Sequence, residues 1–120
     1  MVNPMNKNNE FHVLEEIVDR IHDCWFDADS IQSAKEANEI EISLFINNPK
    51  SPSREADYHF GTLHIRNIIK ISLVDHEKIQ YYDINEILWS SDDNKFTFVT
   101  NIPLVFQIFV SKMDISLVCQ

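Results

Sequence analysis

The chain has 120 residues, 19 acidic against 10 basic side chains for a formal net charge of −9, and a single glycine, Gly61. Glycine averages roughly 7% of soluble proteins, and phosphate-cradling loops need several within a few residues. P-loop NTPases, dinucleotide-binding Rossmann domains, protein kinases and nucleophile-elbow hydrolases are therefore excluded.

A chain of this length buries about two thirds of its unfolded surface when it folds, enough for one domain with one core. A hydrophobic content of 44% and eight phenylalanines argue against disorder. No apolar run reaches the ~18 residues of a membrane helix, and the polar opening lacks a secretory signal, so the expected location is the cytoplasm. Cys24 and Cys119 form no C-x-x-C pair and read as free thiols.

In chain order, residues 1–9 read as a polar tail ahead of a single α+β domain over 10–120. Phe11, Leu14, Ile17, Val18, Ile21 and Trp25 make the stripe of an amphipathic helix, placed at about 10–23. Asn8 or Asn9 is its expected cap, and Glu10 complements the positive end of its dipole. Residues 24–31 read as a strand. Ile40, Ile42, Leu44 and Ile46 alternate with Glu41, Ser43 and Phe45, the repeat of a half-buried strand. Residues 47–60, with two prolines and no period, read as a surface loop.

From Leu63 to Leu73 alternation predicts one long strand with a bulge or bend at Asn67. Residues 79–89 and 96–99 form a hairpin around Asp92-Asp93-Asn94, where Asp and Asn serve in place of glycine. Residues 104–110 and 115–119 supply the last strands. The expected fold is α+β: one N-terminal helix and an antiparallel meander of six to seven strands, strongly bent or closed into a partial barrel.

The charge is localised. Between Glu10 and Glu41 there are ten acids and two bases, a net of −8, while the remaining residues carry nine acids and eight bases. Such a field repels nucleic-acid phosphates, and no basic patch interleaved with aromatics occurs. A basic protein partner fits it, and the expected contact residues are Glu15, Glu16, Asp19, Asp23, Asp27 and Asp29.

The densest polar cluster, His22-Asp23-Cys24-Trp25-Phe26-Asp27-Ala28-Asp29, offers a second reading as a small metal-dependent or acid–base enzyme centred on His22, Asp23 and Asp27. It lacks the glycine and closing glutamate of a calcium loop. His22 and Asp23 also suit the end of a helix, where donors satisfy free carbonyls. Further metal donors are His59, His64 and His76, with His64 on the polar face of its strand. No catalytic residue, metal ligand or cofactor is assigned. A third reading is a homo-oligomer subunit joined through a sheet face or edge.

His22-Asp23, Thr62-Leu-His-Ile-Arg-Asn-Ile68 and Ile84-Asn-Glu-Ile-Leu88 resemble the motifs of a group of small bacterial β-rich proteins. Some of these are similar to immunity proteins encoded beside polymorphic toxins. The resemblance spans about 20 to 118 and implies inhibition by occlusion of a partner. The long helix before His22 and the near absence of glycine depart from the group, and no site residues carry over.

Overall fold

A computed structural model describes residues 6–34, 36–50 and 58–119. Helix α1 spans Asn6–Ile21. It starts four residues before the expected boundary, so Asn8 and Asn9 lie inside it and Glu10 falls beyond the first turn. Leu14, Ile17 and Ile21 are buried while Glu15, Glu16, Asp19 and Arg20 are exposed, as the apolar stripe requires. Asp23 ends the helix in the left-handed region, at φ 71°. Its N–H donates to the Ile84 carbonyl.

The expected strand over 24–31 is instead a three-residue strand, β1 (Trp25–Asp27), followed by a second helix, α2 (Ala28–Ser33). Asp27 is the switch between them. Its backbone is extended, and its Oδ1 accepts from the N–H groups of Asp29 at 2.9 Å and Ser30 at 3.3 Å, the geometry of a helix N-cap. Ala28 and Ile31 drop into the core.

The remaining strands are β2 (Ile40–Phe45), β3 (His59–Ile65), β4 (Ile68–Val74), β5 (Tyr81–Ser90), β6 (Lys95–Thr100), β7 (Val105–Val110) and β8 (Ile115–Cys119). Part of the expected 47–60 loop, 51–57, lies outside the described residues, and β3 already begins at His59. The eight strands form one unclosed, antiparallel sheet in the order β4-β7-β6-β5-β1-β2-β3-β8. The α+β class stands, with eight strands and two helices among the described residues in place of six or seven strands and one.

The meander is corrected as well. Only β1-β2-β3 and β5-β6-β7 run in chain order. The long strand expected from Leu63 to Leu73 is cut at Asn67, φ 60°, into β3 and β4, which pair with β8 and β7 respectively. The chain therefore crosses from one half of the sheet to the other through two residues. The Arg66 N–H donates to the Asp114 carbonyl and the Ser111 N–H to the Asn67 carbonyl, holding this corner together.

The two halves curl over a shared core. Strands β1 and β7 are three ladder steps apart, about 14 Å in a flat sheet. Yet the Phe26 ring lies 5.5 Å from that of Phe106, 6.3 Å from Phe98 and 6.4 Å from Tyr82. Phe98 and Phe106 stack at 4.2 Å. Lys78, Gln80 and Asn94 also adopt positive φ, so non-glycine residues make the tight turns of this glycine-poor chain.

Gly61 has a different task. It sits in β3 between Leu44 and Cys119, where a Cβ would lie 2.5 Å from the Val118 carbonyl oxygen and 3.1 Å from the Cys119 Cα. Both obstacles are backbone, so a side chain there forces β8 away. Gly61→Ala is expected to cost about 1–3 kcal/mol, measured as a lower urea midpoint at unchanged slope, with faster amide exchange concentrated at 115–119.

Candidate functional site

The six acids singled out by the charge pattern do not all line one groove. Glu15 and Asp19, one turn apart on α1, line a groove of about 320 Å³ between α1 and β5. Its other lining residues are Leu14 and Val18 from α1 and the consecutive Glu86, Ile87, Leu88 and Trp89 from β5. Leu14 and Ile87 form an apolar floor, each 4% exposed. The Trp89 ring is braced against Phe96 at 4.8 Å. Glu15, Asp19 and Glu86 are exposed, and among the described residues none of the three forms an ion pair.

Glu86 was not among the expected contact residues. It reaches the groove because β5 slips register against β6 between Ile84 and Glu86, an irregularity that moves the buried positions from Tyr82 and Ile84 to Ile87. The signal was present in the sequence: Ile84 and Ile87 are three apart, an odd spacing that uniform alternation forbids.

Glu16 lies on α1 outside the groove lining. Asp23 sits beyond the helix end with its Oδ2 3.1 Å from His22 Nδ1, both side chains at least half exposed. Asp27 is spent on structure: beyond capping α2, its Oδ2 accepts from Gln80 Nε2 at 3.2 Å, and the neighbouring Ala28 N–H donates to the Gln80 carbonyl. Asp29 lines a second depression with Ala28, Gln32, Leu73, Val74, Asp75 and Lys78.

The nucleophile and metal candidates are likewise dispersed. Burial and the neighbouring Asp23 push the Cys24 thiol up to about 11, so it stays protonated at neutral pH and packs as a small hydrophobe. His59 and His64 both lie on β3, and His59 rests edge-on against Phe45 at 5.8 Å. Alternation pointed His64 toward solvent. Its side chain is only 17% exposed, with Nε2 3.9 Å from Glu39 Oε1, beyond hydrogen-bond reach. Among the described residues no three His, Cys, Asp or Glu side chains converge on a metal-sized space. Among the described residues no helix is long and apolar enough to cross a membrane.

The second depression is bounded by a structural hydrogen bond. Tyr82 donates its hydroxyl to Asp75, whose Oδ1 also accepts from the Lys78 N–H at 2.9 Å. Burial, and then this carboxylate partner, push the Tyr82 phenol up to about 12.

Compared with protein-family models, curated proteins and solved structures, the chain finds no match.

Two substitutions separate structural acids and phenols from the groove. Asp27→Ala removes the N-cap and is expected to lower stability by about 1 kcal/mol in chemical denaturation. Tyr82→Phe is expected to cost about 1.5–3 kcal/mol, the range for hydrogen bonds to charged groups. Because the folded phenol holds its proton above the unfolded value of ~10, its stabilising share is whole below about pH 10 and lost as pH rises through about 12. Denaturation measured between those limits should show a shallower alkaline decline for Tyr82→Phe than for the wild type.

Proposed function

We propose that this chain is a non-enzymatic binding protein that occludes a basic surface on a partner protein, acting as immunity-type inhibitors do, with the α1–β5 groove at the centre of the contact. The observation that carries the reading is the convergence of Glu15, Asp19 and Glu86 around an apolar floor, from elements far apart in sequence, with no cation among the lining residues. Three uncompensated carboxylates on one rim repel one another in the free protein. A cationic partner relieves that repulsion, and Trp89 beside Leu88, 47% exposed, offers the aromatic and aliphatic area that binding surfaces favour. The same field disfavours nucleic-acid phosphates.

Arg20 is exposed on α1 beside Asp19 but does not line the groove. Lys70 on β4 and Lys95 on β6 each hold their ammonium 5.5 Å from the Phe109 ring, on a part of the sheet that contributes nothing to the groove lining. The three carboxylates of the rim steer a cationic partner toward the groove during encounter.

Affinity capture from the source cell tests the reading. The immobilised protein is expected to retain one or more basic proteins at about 50 mM salt and to release most of them by about 200 mM, where exposed charges are screened. A Glu15→Lys, Asp19→Lys, Glu86→Lys variant, folded by circular dichroism, should bind the retained protein at least about tenfold more weakly. Capture indifferent to both salt and charge reversal would falsify the proposal.

A further inference from the structure

The β5 side of the groove is a strand seen edge-on. Four consecutive residues, Glu86, Ile87, Leu88 and Trp89, line it together, although successive side chains of a strand point to opposite faces. Both faces border one groove only where the backbone edge between them is open. The pairing pattern agrees. On one side β5 bonds to β6 from Ile84 to Ser90. On the other, β1 pairs only with Tyr81, Tyr82 and Asp83, and the backbone bonds of Ile84 with Asp23 and Cys24 end that ladder. Among the described residues nothing pairs with the second edge of β5 from Asn85 to Ser90.

We propose that this edge receives an extended basic segment of the partner as an added β-strand, held between β5 and α1. The inference rests on the binding function proposed above and names its mode. Six open residues span about 20 Å, the length of a common strand. The partner's backbone N–H and C=O groups satisfy the free edge, and its alternate side chains meet the carboxylates. Glu15 and Asp19 stand on the helical wall and Glu86 on the strand itself, so a segment with cations at every second position is complementary. A second copy of this chain is not, because pairing two such edges would bring together two rims that each carry Glu15, Asp19 and Glu86. The open stretch, Asn85-Glu-Ile-Leu-Trp-Ser90, contains neither proline nor lysine, and its guards against a like edge are the Glu86 charge and the register slip at its start.

A synthetic probe tests the mode apart from the charge. An alternating Lys-Val peptide of about eight residues, long enough to cover the edge, is titrated into the full chain at low salt, read by Trp fluorescence and by the amide resonances of 85–90. Two further peptides carry N-methyl groups on the odd or on the even backbone amides, leaving the charge unchanged. One methylated peptide is expected to bind roughly tenfold or more weakly than the parent and the other within about twofold, because only one set of amides faces β5. Equal behaviour of the two methylated peptides, whether both bind or both fail, overturns strand addition while leaving the acidic binding surface in place. Failure of the parent peptide to bind at low salt overturns strand addition and the basic-partner reading together.

Discussion

The aromatic contact made by Phe26 is the constraint on which the rest of the structure depends. Strand β1 is only three residues long, too short to contribute much hydrogen bonding. It nevertheless occupies the middle of the sheet and carries a fully buried ring that touches Tyr82, Phe98 and Phe106. Those contacts require the two halves of the sheet to curl toward each other, with the dispersion and area burial of four large rings as the return. The brevity of β1 then follows from what flanks it. Asp23 breaks α1 immediately before it, and Asp27 starts α2 at its last residue. Because β1 runs out so soon, the long strand β5 outlasts its partner, and α1 comes to lie across a groove from the exposed remainder.

Much of this was legible along the chain. The stripe from Leu14 to Ile21 located α1 and alternation located β2, because each of those segments buries one face and exposes the other, while β-rich runs between turn residues located the strands from β5 onward. The boundary at Asn6 was not legible, since a polar first turn carries no periodic signal. Helix α2 was missed for a different reason. A six-residue helix holds barely two apolar positions, and its only strong marker is a capping aspartate that reads equally well as part of an acidic cluster. Residues 63–73 alternate continuously enough to look like one strand. Asn67 marks the break, but nothing local says that the two pieces join opposite halves of a sheet, because that depends on which strands return to pair with them.

The candidate site shows the same division between local and distant information. Of the acids between Glu10 and Glu41, Glu15 and Asp19 stand on one wall of the groove. The segment count, however, treated all acids alike. Asp27 is held by two backbone donors and an amide, partners that composition alone does not reveal. Glu86 escaped because it lies outside the 10–41 segment, in a second acidic stretch where residues 75–93 carry six acids against one base, and its place in the groove depends on the register slip of β5 against β6. Charge density along a chain thus finds where a field originates, whereas pairing register decides which carboxylates share it.

The five non-glycine residues at positive φ among the described residues have a thermodynamic meaning beyond turn geometry. Each left-handed L-residue costs the native backbone about 1–2 kcal/mol of steric strain. Each also denies the unfolded chain some of the conformers that glycine would open, an entropic saving of about 0.4–1 kcal/mol. The two quantities are close in size and opposite in sign. A chain with almost no glycine therefore moves part of the cost of its turns from disorder in the unfolded ensemble to strain in the folded one. Its turns are set largely by residues that had few other conformations to lose.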